Sequence, residues 1–275
     1  MTEFSGHLRL RAARRADGRT VLAEQAFRAP FHLSKPYWEP EARTLIVQVV
    51  NPTAGVLAGD RLESSLQVDP DAALIVTTPS ASRIFQMRTG QALSRQSYTV
   101  AAGGWLEVLP EPLVPHRGSV FRQETRIDVA PGGGVFFVDQ LIPGRLGHAE
   151  AWQWAQLTLE TEVRVGGELA LRERLSLSGA ELQELAAFFG SGPTCCFANA
   201  LLIPPTLEPV PPDWWQPLHA LQEAGVRLGA SALRRGGWSL RLAASGPLQL
   251  RDTVQEVRRL LAAQFPRLGA NLRKL

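Results

Sequence analysis

Between about residue 43 and residue 177, apolar side chains return at every second position, and this period limits the chain to extended structure. In AQLTLETEVRV, residues 155–165, Ala155, Leu157, Leu159, Val163 and Val165 alternate with Gln156, Thr158, Glu160, Glu162 and Arg164. Successive side chains of a strand point to opposite faces, so this segment has one face to bury and one to solvate. Gly166-Gly167 then offers the positive-φ positions of a tight turn, and ELALRERLSLS reads as the second arm of a hairpin. Further strands are predicted at 45–50, 62–68, 74–78, 105–109, 121–129 and 135–138, punctuated by Asp69-Pro70-Asp71, Gly103-Gly104 and the Pro131 to Gly134 run. Strands this close together, with no helical pattern between them, imply an antiparallel or coiled all-β body. VDPDAALIVTT, VAAGGWLEVLP and VAPGGGVFFVD form a weak internal repeat, which points to stacked sheets.

Helices are expected only in the C-terminal third. Ser178 to Glu181 has the form of a capping box ahead of Leu182, Leu185 and Phe189, with Gly190 as the stop. Asp213 is placed to cap a second helix ending near Gly225, and Val254, Val257, Leu260, Leu261 and Phe265 mark a third that Pro266 closes. VRLGASALRRGGWSLRLAAS reads as one more hairpin, and LLIPPTLEPVPPDWW, residues 201–215, as a stiff, partner-facing connector. The 275 residues are expected to form one domain, with a β body over about 1–177 and a mixed helix and hairpin part over about 178–275.

Composition removes several classes of function. The formal charge is +3, and the excess is arginine spread along the chain with two lysines, which is not the clustered basic stripe of a nucleic-acid binder. No apolar run approaches the length needed to span a bilayer, and the first fifteen residues carry no secretory leader, so the cytoplasm is the expected compartment. Cys195 and Cys196 are adjacent, which suits two small buried residues better than a disulfide or a zinc signature. No GxSxG, Walker, Rossmann or HExxH motif is present, so no resident cofactor is expected.

The carboxylates are more informative. Leu169, Leu171, Leu175 and Leu177 set the apolar face of the second hairpin strand, and Glu173 shares their parity, so its carboxylate is predicted to point inward. A buried charge costs several kcal/mol unless it is paired, hydrogen-bonded, metal-bound or neutralised. A bulge that turns Glu173 outward, or a structural ion pair, is the plain alternative. Asp60 ends NPTAGVLAGD after Gly59, where an Asp most often caps backbone N–H groups. Asp139 directly follows the apolar run of residues 135–138, and Glu150 is placed to pair with Arg145 in a surface ion pair. Such carboxylates on a β scaffold suit either hydrolytic acid–base chemistry or the passage of a cation.

The order of NPTAGVLAGDRLE, LIVTTPSASRIFQM, GGWLEVLPEPLVPHRGSVFRQETRIDVAPGGGVFFVDQLIPGRLGHAE and LALRERLSL resembles the urease accessory protein family UreD, also called UreH, over about residues 4–177. The resemblance implies a mainly β fold of packed, helically wound sheets with a few helices. It also implies a non-enzymatic scaffold that, with UreF and the GTPase UreG, helps deliver nickel to the urease apoprotein. Members of that family are thought to pass the ion, bound only transiently, through an internal water-filled passage lined by carboxylates. By that pattern Asp60 and Glu173 match acidic family positions, and Arg145 and Glu150 match as well. Asp139 stands where the family generally has Glu, and Ala54 where it usually has glycine. On this reading the small residues of NPTAGVLAGD let the loop lie against the sheet and carry Asp60 to the interior.

Two other readings stay open on the residues alone. One is a carboxylate-dependent, carbohydrate-active enzyme with Trp105, Trp152 and Trp154 as sugar platforms; the other is a plain β binding module. Trp152 and Trp154 share the parity opposite Ala155 and Leu157, which marks them as a protein-binding surface.

Overall fold

A computed structural model describes residues 5–188, 192–205, 215–223 and 226–272. The helix-end residues Phe189, Gly190, Asp213 and Gly225, and residues 206–214 of the proline-rich connector, lie outside the described residues.

β1 (Ser5–Arg14) and β2 (Thr20–Arg28) form an antiparallel hairpin, and the short β3 (His32–Leu33) and β4 (Tyr37–Glu39) flank β5 (Thr44–Val50). The chain then winds through β6 (Arg61–Val68), β7 (Ala73–Thr77), β8 (Ser82–Ile84), β9 (Ala92–Val100), β10 (Trp105–Leu109), β11 (Leu113–Pro115), β12 (Val120–Val129), β13 (Gly134–Leu141) and β14 (Gln156–Val165). β6, β9, β12 and β14 stack in parallel beside β1 in a first sheet, while β5, β7, β10 and β13 stack in parallel in a second. Arg61, Leu93, Arg122 and Thr158 stand level, so successive turns of the winding take 32, 29 and 36 residues. Of the antiparallel and coiled alternatives, the coiled, stacked-sheet one is realised, with parallel ladders between successive turns.

β15 (Glu168–Leu177) folds back on β14 and ends the first sheet. After α1 (Gly179–Phe188), β16 (Cys196–Ile203) pairs with β13. Beyond it come α2 (Gln216–Glu223), β17 (Arg227–Ala232), β18 (Trp238–Ala244) and α3 (Pro247–Ala262), with β18 and then β17 completing the second sheet. The capping box forms: the Glu181 carboxylate accepts the Ser178 N–H at 2.7 Å and the Ser178 hydroxyl accepts the Glu181 N–H at 3.3 Å.

The internal repeat is the corner of the winding. Val68, Val100, Val129 and Val165 stack at the end of the first sheet, and Ala73, Trp105 and Gly134 stack at the start of the second. Between them Asp71, Gly103 and Gly132 take the same left-handed turn, with φ of 59°, 71° and 80°. Two of the three are glycine because that region is strained for a residue with a Cβ.

Burial separates the two sheets chemically. The first alternates, as β6 shows with Leu62, Leu66 and Val68 buried and Arg61, Glu63 and Gln67 exposed, because its outer face meets solvent. The second is covered on both faces, and β7 and β10 are buried throughout. One core fills the space between the sheets, and another lies between the second sheet and α2 and α3. In the latter, Glu107 of β10 is fully buried and meets Arg258 of α3 through two bonds, of 2.5 and 3.1 Å. Cutting Arg258 back to alanine takes the guanidinium away from a fully buried carboxylate, so Arg258→Ala is expected to destabilise the protein by about 3–5 kcal/mol in urea unfolding. Pairing Glu107→Leu with Arg258→Met should restore most of the loss.

Candidate functional site: a polar layer between the sheets

Parallel register turns one residue per turn of the winding into a row. Most inward-facing rows of the first sheet are apolar, as Leu66, Tyr98, Ile127, Val163 and Leu171 illustrate. The neighbouring inward row is polar across five strands: Ser64, Gln96, Thr125, Thr161 and Glu173 stand level. Opposite them, Asp139, Asn199 and Arg241 stand level on β13, β16 and β18 of the second sheet. A polar layer therefore cuts through the intersheet core, which costs free energy unless its groups satisfy one another or water.

They do so in two linked clusters. Gln96 Oε1 accepts the Tyr98 hydroxyl and the Thr125 hydroxyl, each at 3.0 Å. Gln96 Nε2 donates to Gln123 Oε1 at 3.4 Å, and Gln123 Nε2 donates to the Asp139 carboxylate at 3.1 Å. Toward the edge, Arg241 donates to Glu173 at 2.5 Å and to Asn199 at 3.1 Å, while Ser239 donates to Glu173 at 3.2 Å.

Two voids flank the layer. One, of about 170 Å³, is bounded by Ser64, Ser94, Gln96, Tyr98, Gln123 and Asp139 and reaches the loops around Thr53 and Ser80; that is room for about five waters. The other, about 830 Å³, opens beside Glu173 and Arg241. Phe137, Asp139 and Gln140 line both, so the Gln123–Asp139 hydrogen bond stands at the partition. Burial pushes the Asp139 carboxyl up to about 7; the Gln123 bond opposes this and the Glu173 charge adds to it. Burial and the Asp139 charge also raise the Tyr98 phenol.

The sequence-predicted residues divide. Glu173 does point inward, is half-buried and takes Arg241 as its partner. Asp139 joins it at the layer. Asp60 is buried but does not line either void: its Oδ2 accepts the Leu57 N–H at 2.8 Å, closing the turn in which Gly59 takes φ of 84°. Four strand steps and four residues of register separate Asp60 from Glu173, roughly 19 Å across the sheet and 13 Å along it. The expectation that NPTAGVLAGD delivers Asp60 to the wet interior is thereby corrected to a turn-capping role. Glu150 forms the predicted ion pair with Arg145, at 2.9 and 2.5 Å, and that bond holds its carboxyl below the usual range. This pair lies beside His116, away from the layer.

A second correction concerns Trp152 and Trp154, which are 5% and 2% exposed and form no surface. Strand parity does not extend to them, because β14 begins at Gln156 and Trp152 has a φ of 63°. Their indole N–H groups donate to Pro193 and Leu177 carbonyls, and their rings pack with Leu157 and Leu182. Trp105 is 1% exposed, so none of the three is a sugar platform. Cys195 and Cys196 are buried and not joined in a disulfide, and burial pushes the Cys196 thiol up to about 12.

Gln96, Gln123, Thr125, Thr161, Asn199 and Arg241 were not singled out from the sequence. Their signal is present, as polar residues at inward parity in β9, β12, β14, β16 and β18, but it becomes a site only when strands far apart in sequence are stacked. Among the described residues no three His, Cys, Asp or Glu side chains gather as a metal cluster, and no helix is long and apolar enough to cross a membrane.

Residues 5–274 match the sequence model of the UreD urease accessory protein family. The chain is 55% identical over 273 residues to the urease accessory protein UreD of Opitutus terrae, covering 99% of this chain and 100% of that one. It is 32% identical over 262 residues to UreD 2 of Streptomyces griseus, covering 90% and 87%. To UreD of Yersinia enterocolitica it is 38% identical over 146 residues, covering 52% and 45%.

The raised Asp139 carboxyl fixes the sign of a pH effect. The folded state holds this proton more tightly than the unfolded chain does, so ionisation costs stability. The cost enters as pH rises from the ordinary carboxylate value of 3.8 to about 7 and is complete above it. Asp139→Asn removes it. The stability of that variant relative to the wild type should therefore grow across this window, by at most about 4 kcal/mol and by less where cavity water solvates the charge. Urea unfolding at a series of pH values reads the difference.

Proposed function

The chain belongs to the UreD family of urease accessory proteins, and on that footing we propose that it serves urease maturation as a non-catalytic scaffold that hands nickel toward the apoprotein, in company with UreF and UreG. The observation that carries this reading is the polar layer with its two voids, because packing between the sheets gives no stability reason to set Asp139 inside the core and Glu173 facing inward at its edge. A hydrated divalent cation entering beside the Thr53 and Ser80 loops meets hydroxyl and amide oxygens first, then the Asp139 carboxylate, then Glu173 at the far mouth.

The polar side chains of the layer that could meet the ion offer hydroxyl, amide and carboxylate groups, with no thiolate or imidazole among them, and apolar side chains make up much of both void walls. Nickel, a borderline ion, is held loosely by such donors and exchanges readily, which suits transit rather than storage. Arg241 offsets the Glu173 charge, whereas among the described residues Asp139 has no salt bridge and is held by the Gln123 amide. Advance past the partition exchanges the Gln123 hydrogen bond on Asp139 for contact with the ion or its water shell. The burial of Trp105, Trp152 and Trp154 and the capping role of Asp60 support neither a sugar site nor a third acid at the layer.

Asp139→Asn combined with Glu173→Gln is expected to leave association with UreF and apo-urease intact while lowering the nickel content of the urease produced by several-fold. Co-purification followed by metal analysis measures both. Full nickel content with a well-expressed double variant sinks the passage. Asp60→Ala should act differently, loosening the turn by about 1 kcal/mol without a specific loss of nickel.

A further inference from the structure

The two sheets end together on one side of the molecule without covering each other's edges. β15 is the terminal strand of the first sheet and β17 that of the second. The larger void lies between them as a groove, with Leu171, Leu175, Phe197, Leu228 and Leu242 among its apolar lining. Among the described residues, the backbone of residues 169–176 makes no backbone hydrogen bond apart from its ladder with β14, so one edge of β15 is free to pair.

The rim of this groove is cationic. Arg172 and Arg174 of β15 and Arg227 of β17 are exposed, and the Arg241 side chain is 56% exposed. Arg174 engages Glu160 at 3.1 Å, and Arg241 engages Glu173. Arg172 and Arg227 have no carboxylate partner among the described residues. A second copy of this chain is a poor occupant. Pairing β15 with its own copy sets the Arg172 and Arg174 row against itself, and like charges directly opposite are destabilising. An acidic strand meets the opposite condition on the same edge.

We propose that this groove receives an extended acidic segment of a partner protein. The segment adds to the free edge of β15 by strand pairing; its inward face sets apolar side chains beside Leu171 and Leu175 with a carboxylate between them, level with Glu173 and within the reach of Arg241 and Arg227, and its outward face presents carboxylates to Arg172. A carboxylate arriving at Arg241 competes with Glu173 for the same guanidinium, so docking releases Glu173 at the mouth of the polar layer. Only this release rests on the nickel reading; the docking does not.

The docking is tested without metal. A fluorescein-labelled seven-residue peptide, Glu-Leu-Glu-Glu-Glu-Leu-Glu, which as a strand shows Leu, Glu and Leu on one face and only Glu on the other, is titrated against the full chain in EDTA-containing buffer, beside peptides with Gln or Lys in place of Glu. Anisotropy is expected to report binding of the acidic peptide alone, weakening as salt is raised. Arg172→Gln, Arg227→Gln and Arg241→Gln should each weaken it by about twofold to fivefold. Glu173→Gln, which frees Arg241 from its internal competitor, should tighten it by about twofold or more. Circular dichroism confirms that each variant is folded. Equal binding of the three peptides, indifference to the arginine substitutions in folded variants, or dimerisation through this edge in sedimentation overturns the proposal. Normal peptide binding alongside nickel transfer that ignores Asp139 and Glu173 would defeat the passage and leave the docking standing; the converse pattern would do the reverse.

Discussion

In-register parallel stacking of successive turns is the constraint on which the rest of this protein depends. A single inward residue in one turn is a local matter, but when Ser64, Gln96, Thr125 and Thr161 fall on one level the interior acquires a continuous polar row. The same rule builds the apolar rows beside it and the valine stack at the corners. Register shifts by one residue would turn every inward side chain of a strand outward, so the tight corners at Asp71, Gly103 and Gly132 protect the interior layer as well as the fold.

The layer shows how polar groups are kept inside a β core. Amides and hydroxyls satisfy one another on the first sheet, and Arg241 neutralises Glu173 at the edge. Asp139 is held by one amide beside space that water can fill. Elsewhere the chain handles charge differently. Glu107 and Arg258 form a closed pair with structural effect, Glu150 and Arg145 form one nearer the surface, and the outer face of the first sheet carries Arg95–Glu124 and Arg174–Glu160 pairs in solvent. Pairing alone therefore does not mark a functional carboxylate here. What distinguishes Asp139 and Glu173 is that both stand in the polar layer between the two sheets, beside voids lined by residues of both sheets.

Strand parity read Glu173 correctly because β15 keeps regular alternation through that position. It misread Trp152 and Trp154 because the chain is irregular until Gln156, so parity had no physical basis there. Asp60 shows a different limit. Its neighbours Gly59 and Leu57 announce a turn, but whether the carboxylate faces a cavity or its own backbone depends on where that turn sits against the stack. The N-terminal hairpin, β9 and β16 also went unread, since their pairing partners lie far away in the chain or their alternation is mixed with polar residues.

The sequence by itself determined the β class, the hairpin of β14 and β15, the capping box of α1 and the inward aim of Glu173, because each follows from neighbours close along the chain, and the corner repeat, because the same short motif recurs. Only the tertiary structure decided that the corners stack in parallel and that Asp139 meets Gln123 and Glu173 meets Arg241. It also decided that Asp60 stands apart from both. Those contacts join residues 16 and 68 positions apart, and no local period encodes which strand of one sheet lies over which strand of the other.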